Sequence, residues 1–307
     1  MNHADVFYQS DDGVRLYARD YPGPARDAPV VLCLAGLTRN SKDFAPLAEA
    51  LHKSYRVICP DQRGRGRSAR DADPAHYRPD RYVQDMLTLL AVLGVTQVTV
   101  IGTSLGGLMA MVLVALAPGR IRAVVLNDVG PEVDPKGLAR IAGYVGKTAP
   151  VLDWDAAAEQ TAATNGVAFP DYGAKNWQAM ARDIYVQEGA APVLDYDPAI
   201  AQGIAAGTAA VNLWPLFEAM KAKPLLVIRG ETSDILSVAT VDEMVRRVNA
   251  GAAVTVPGRG HAPTLGEPAA RAAIEEFLLG LDRQGPQPHF TGLNSTALRD
   301  QGAGRVT

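Results

Sequence analysis

Between Val98 and Leu116 the sequence writes three local structures in succession. Val98-Thr99-Val100-Ile101 is apolar and β-branched, Gly102-Thr103-Ser104-Leu105-Gly106 follows at once, and Leu108 to Leu116 is an apolar segment long enough for a helix. A strand, a sharp turn and a helix are therefore expected in that order. Glycines two residues either side of Ser104 let the backbone turn without Cβ clashes, so the serine is held in a strained conformation with its hydroxyl exposed at the helix N-terminus. That is the pattern of a nucleophile elbow. A plain strand-to-helix turn with a capping serine would satisfy the same five residues, so the surroundings must decide.

The surroundings repeat the theme. Val30 to Leu34, Arg56 to Ile58, Val98 to Ile101, Ala123 to Leu126, Leu225 to Ile228 and Ala253 to Val256 are short apolar runs rich in Val, Ile and Leu. Helical patterns separate most of them: Asp43 to His52, Arg81 to Leu93, Leu105 to Leu116, Val238 to Val248 and Pro268 to Leu281. Apolar strands spaced by helices imply a mostly parallel sheet covered on both faces. Ahead of them, Phe7 to Gln9 and Val14 to Arg19 flank the turn Ser10-Asp11-Asp12-Gly13, which predicts a β-hairpin and brings the strand count to eight. The alternation stops between Asn127 and Trp214. Helix candidates there are Lys136 to Gly146, Trp154 to Asn165 and Ala174 to Gln187, the last carrying Trp177, Ile184 and Tyr185. We read 131–215 as a helical cap inserted after the sixth strand, 1–130 and 216–282 as the core, and the polar, glycine-rich 283–307 as a C-terminal tail. The cap aromatics are expected either to stitch the cap to itself or, taken together, to line an apolar pocket.

Two further loops carry chemistry-bearing residues just past strand ends, where open α/β sheets place their ligands. Pro224 to Arg229 runs into Gly230-Glu231-Thr232-Ser233-Asp234, and Ala253 to Val256 runs into Pro257-Gly258-Arg259-Gly260-His261. Serine, acid and histidine follow one another in the order of an α/β-hydrolase triad. With Leu34-Ala35-Gly36-Leu37 after an early strand and Asp61-Gln62-Arg63-Gly64-Arg65-Gly66-Arg67-Ser68 after the next, the chain resembles the α/β-hydrolase fold superfamily over about Val6 to Leu281. Within it, the cap-bearing serine esterases and carbon–carbon hydrolases are the most similar group. One departure is Ala35, which stands where most relatives have histidine.

The resemblance implies a serine hydrolase without a cofactor. Ser104 is the expected nucleophile and His261 its base, since an imidazole titrates near working pH. Asp234 is the expected acid that orients His261, with Asp128, which follows the strand after the nucleophile, as its rival. The backbone N–H groups of Leu37, just after Gly36, and of Leu105 are the expected oxyanion donors.

Composition narrows the remaining classes. Hydrophobic residues make up 48% and charged residues 21%, an ordinary globular balance, and a net charge of −3 argues against nucleic acid or an anionic membrane surface as a partner. Met1 to Gly13 lack the apolar stretch of a secretory signal, so the cytoplasm is the expected compartment. Cys33 and Cys59 each lie in an apolar run and are read as buried thiols. Arg63, Arg65, Arg67 and Arg70 sit among Asp61, Asp71 and Asp73, a pattern of salt bridging and loop stiffening more than of phosphate binding. No dinucleotide fingerprint, phosphate loop or metal-ligand spacing occurs, so neither cofactor nor metal is expected. A small, mostly uncharged carboxylic ester, cleaved through an acyl-enzyme, is the expected substrate. The cap holds Arg140, Lys147, Lys175 and Arg182, any of which could turn inward to hold an anionic substrate instead. A carbon–carbon bond hydrolase of vinylogous keto acids, or a hydrolase-like ligand receptor with slow turnover, are the alternatives.

Overall fold

A computed structural model describes residues 2–205 and 212–283, so the tail beyond 283 lies outside the described residues. Among the described residues there are ten strands: β1 Ala4–Gln9, β2 Arg15–Tyr21, β3 Val30–Leu34, β4 Arg56–Asp61, β5 Val98–Thr103, β6 Ile121–Asn127, β7 Tyr185–Glu188, β8 Ala191–Leu194, β9 Leu225–Gly230 and β10 Gly251–Val256. Eight of them form one sheet in the order β1-β2-β4-β3-β5-β6-β9-β10. The predicted hairpin supplies β1 and β2, which pair antiparallel, and β2 joins β4 antiparallel. From β4 to β10 every neighbour is parallel.

The sheet is buried on both faces, which is why its strands read as unbroken apolar runs. Alternate residues separate into two cores. Leu32, Leu34, Ile58, Val124, Leu126 and Val227 face one cluster with Met86, Leu89, Met109 and Leu113. The last four come from helices α2 Pro79–Val92 and α3 Leu105–Leu116, numbered after α1 Ala45–Leu51. Val31, Cys33, Val57, Ile101, Val125 and Leu226 face the other, with Leu47 and Leu51 of α1 and with Ile274, Phe277 and Leu278. Both cysteines are buried free thiols, as read from the sequence.

Between β6 and β9 the chain leaves the sheet. It forms α4 Pro135–Tyr144, α5 Trp154–Asn165, α6 Ala174–Ile184, the β7–β8 ribbon, the short α7 Ala201–Ala205 and then α8 Trp214–Phe217. The three predicted helices are present, but α6 ends at Ile184, three residues short of the expected Gln187. Tyr185 to Glu188 instead pair with β8, Tyr185 opposite Leu194. This insert has a small core of its own, built on Val151, Ala157, Phe169, Met180, Ala181 and Tyr185. The final helices, α9 Val238–Arg247 and α10 Pro268–Arg283, return to the sheet. Among the described residues no helix is long and apolar enough to cross a membrane.

Candidate active site

Three loops at the C-terminal ends of β5, β6 and β10 meet over the sheet. Ser104 stands between β5 and α3 with φ 53° and ψ −116°, a conformation that costs an L-residue on the order of 1–3 kcal/mol and persists only where its surroundings force it. The two glycines do the forcing. A Cβ on Gly102 would lie 2.4 Å from the Gly106 carbonyl oxygen, and one on Gly106 would lie 2.0 Å from that of Leu34, so the turn can close this tightly only without side chains.

A continuous hydrogen-bond chain runs from that serine. The Ser104 hydroxyl lies 2.9 Å from His261 Nε2, and His261 Nδ1 lies 2.8 Å from Asp128 Oδ2. Asp128 is fully buried and adopts φ 55° at the end of β6. Its carboxylate also accepts from the Gly230 N–H at 2.8 Å and the Ser233 hydroxyl at 2.6 Å. Asn127 beside it donates to Thr103 Oγ1 and to the Pro263 carbonyl, tying the serine strand to the histidine loop.

The acid expected from the sequence is therefore corrected: Asp128, not Asp234, is bonded to His261. Asp234 occupies the neighbouring loop, but Arg140 of α4 takes both its oxygens, Nε at 2.6 Å and Nη2 at 2.8 Å. That guanidinium holds the Asp234 carboxyl below the usual carboxylate range and turns it toward the insert. Ser233, one residue earlier, is the member of that loop that reaches Asp128.

The early loop lies against Ser104. A Cβ on Gly36 would meet Ser104 Cβ at 3.7 Å. Two side chains after β4 hold this loop by its carbonyls: Gln62 Nε2 donates to Ala35 at 3.0 Å and Arg65 Nε to Leu37 at 2.5 Å. With Ala35 in place of a histidine, this bracing comes from the Asp61–Ser68 loop. That loop is itself pinned by Arg63, fully buried and bonded to Asp85, Asp12 and Asp71, of which Asp71 alone is among the aspartates interleaved with the arginines. Among the described residues the Leu37 N–H has no backbone acceptor. Leu105 opens α3, where N–H groups lack intrahelical partners.

A cavity of about 320 Å³ opens onto Ser104 and His261. Gly36, Leu37, Thr38 and Arg39 form its core-side wall, and Ile141, Tyr144, Phe169, Tyr172 and Met180 of the insert form much of the other. The Leu105 side chain is packed in the core rather than in this cavity. The cap aromatics divide accordingly. Tyr144, Phe169 and Tyr172 line the cavity, whereas Trp154 bonds Gln187 and Trp214 bonds Glu132.

The match to known proteins is extensive. A family model described as the alpha/beta hydrolase fold matches residues 29–268. The chain belongs to the α/β-hydrolase fold family. It is 39% identical over 277 residues to the 3-hydroxybutyrate-oligomer hydrolase of Cupriavidus necator, covering 87% of this chain and 93% of that protein. It is 29% identical over 235 residues to the 2-(acetamidomethylene)succinate hydrolase of Mesorhizobium japonicum, covering 76% and 81%. Among solved structures, an alpha/beta hydrolase from Novosphingobium aromaticivorans superposes with a TM-score of 0.86 at 46% identity, covering 92% of this chain and 99% of that one.

The charges of this α/β-hydrolase cavity are not those that the sequence singles out. Arg140, Lys147, Lys175 and Arg182 are absent from its walls. Arg140 is bonded to Asp234, Lys147 to the Ala142 carbonyl, and Arg182 lies 3.6 Å over the Trp154 ring. Arg39 and Lys42 line it instead, with Asp43 and Asp183. Arg39 forks onto Asp43 at 2.7 and 2.6 Å, and Lys42 pairs with Asp195 at 2.9 Å. No pattern in the sequence marks these residues, because the turn at Arg39 to Asp43 and the end of α6 become neighbours only once the insert folds back.

Proposed function

We propose that this protein is a serine hydrolase that cleaves a small, mostly uncharged carboxylic ester through an acyl-enzyme. The observation that carries the reading is the Ser104–His261–Asp128 hydrogen-bond chain beneath a cavity. In the proposed cycle Ser104 Oγ attacks the ester carbonyl while His261 Nε2 takes its proton. The buried Asp128 carboxylate fixes Nδ1–H as the protonated nitrogen and stabilises the imidazolium. Negative charge on the tetrahedral oxygen falls to the N–H groups of Leu37 and Leu105, the latter at the positive end of α3. His261 then gives its proton to the departing alcohol oxygen. A water molecule, deprotonated by the same histidine, attacks the acyl-serine and releases the acid.

The charges of the cavity favour an uncharged substrate, since both cations on its walls are already held by carboxylates. A vinylogous keto acid would have to displace one of those partners. The relative from Cupriavidus necator acts, by its name, on oligomers of 3-hydroxybutyrate, which are joined by ester bonds. Its 39% identity over 87% of this chain supports esters of short hydroxy acids as candidates. The test is to measure kcat/KM for short acyl esters and for vinylogous keto acids on one preparation, alongside labelling by a serine-directed phosphonate. Esters are expected to be the better substrates, with one adduct mapping to Ser104 and none on Ser104→Ala. A keto acid ahead by more than about tenfold, or about 1.4 kcal/mol of transition-state binding, would overturn the ester assignment.

A further inference from the structure

Among the described residues, one charged side chain in the cavity has no partner. Asp183 lies one residue before the end of α6 and lines the same cavity as Ser104 and His261. Among the described residues no N–H or O–H donates to its carboxylate, and no cation stands within salt-bridge distance. The charged groups around it are otherwise engaged: Arg39 with Asp43, and Lys42 with Asp195. Its backbone is engaged too, for the Asp183 carbonyl accepts from Asn40 Nδ2 at 3.3 Å and the Arg182 carbonyl from Lys42 Nζ at 3.1 Å. The end of α6 is thus pinned to the core while Asp183 lines the cavity.

Resting on the ester-hydrolase reading above, we infer that Asp183 is a specificity-determining residue that accepts a hydrogen bond from a free hydroxyl on the substrate, so that hydroxylated esters are preferred to their deoxy counterparts. A half-buried carboxylate without a donor is costly, and a ligand O–H restores part of what its burial removed. Arg39 and Lys42 on the same wall are each already paired with a carboxylate, so the donor that Asp183 lacks has to come from the ligand. The titration of Asp183 agrees with this placement. Burial raises its carboxyl to about 6, with Asp43 adding to the rise and Arg39, Lys42 and Arg19 opposing it.

The deciding quantity is the ratio of kcat/KM for p-nitrophenyl 3-hydroxybutyrate to that for p-nitrophenyl butyrate, measured from pH 5 to pH 8. Effects common to both esters cancel in the ratio. In the wild-type protein it is expected to be at least about tenfold at pH 8, the lower range for a hydrogen bond to a charged acceptor. It should fall as the pH drops through about 6. Asp183→Asn, close in shape and uncharged at every pH, is expected to lower the ratio and flatten its pH dependence, and Asp183→Ala to bring it near unity. A wild-type ratio near unity, or one that both variants leave unchanged, would overturn the inference while the hydrolase reading stands. Failure of the wild type to turn over either ester would overturn both.

Discussion

Replacing Asp128 with asparagine separates the two candidate acids by a change of one atom. Gly230 N–H is a fixed donor 2.8 Å from Oδ1, so the asparagine oxygen must remain at that position to accept from it. The amide nitrogen then falls where Oδ2 was, 2.8 Å from His261 Nδ1. An amide nitrogen only donates there, so the imidazole must carry its proton on Nε2, the nitrogen that has to receive the Ser104 proton. The wrong tautomer leaves the geometry intact and removes the base. In a triad this costs about 10⁴ in kcat, or about 5.4 kcal/mol of barrier. Asp234→Asn instead weakens a partly exposed pair with Arg140, worth about 1 kcal/mol or less, and is expected to lower turnover by less than about tenfold. Steady-state hydrolysis of p-nitrophenyl butyrate by both variants, with melting curves to show that each is folded, makes the comparison. If Asp128→Asn kept more than about a tenth of wild-type kcat, the tautomer argument would fail.

Two other perturbations test the scaffold. Gly106→Ala places a Cβ 2.0 Å from the Leu34 carbonyl oxygen, backbone against backbone, and is expected to destabilise the protein by about 3 kcal/mol. Gly119→Ala, with nothing within 4 Å, serves as the control, and equal melting temperatures for the two variants would refute the packing argument. Asp183 gives a stability effect with a definite sign. Its carboxyl titrates at about 6 in the folded chain against 3.8 otherwise, so the native state holds the proton more tightly and loses stability as the pH rises from about 4 to about 6. Asp183→Asn is therefore expected to be more stable than wild type at pH 8, by at most about 3 kcal/mol, and to lose that advantage as the pH falls toward 4. Denaturant titrations at both pH values check it, and a pH-independent advantage would count against a desolvated carboxylate.

The fold was legible because its signals are local and periodic. Strands buried on both faces read as apolar runs, glycines flank Ser104 because Cβ atoms there would strike backbone oxygens, and Asp153, which caps α5 through the Ala156 N–H at 2.8 Å, marks the start of a predicted helix. The elbow and the histidine loop were readable for the same reason. The end of α6 was less so: Tyr185 to Glu188 continue the helical pattern, and only pairing with β8 draws them into a strand.

The acid shows where local reading stops. Asp128 and Asp234 both follow sheet strands at the edge where His261 lies and both fit the order serine, acid, histidine; Asp234 is favoured by its loop after the strand preceding that of His261, and Asp128 opens the insert. The outcome was set by partners distant in sequence. Arg140 reaches from α4 across 94 positions to occupy Asp234, while Gly230 and Ser233 turn their donors toward Asp128 from more than 100 positions away. A carboxylate that accepts two protein donors besides the histidine is held in one orientation, which is what steering an imidazole requires. The Asp234 carboxylate is instead forked onto Arg140 at the edge of the insert and, among the described residues, makes no bond to the histidine. The assignment of the acid therefore depends on where one arginine of the insert comes to rest. Asp234 is left with a structural role. Together with the close packing of Gly137 against its backbone, the Arg140–Asp234 pair fastens α4, and with it one wall of the cavity, to the sheet edge where Ser104, Asp128 and His261 meet.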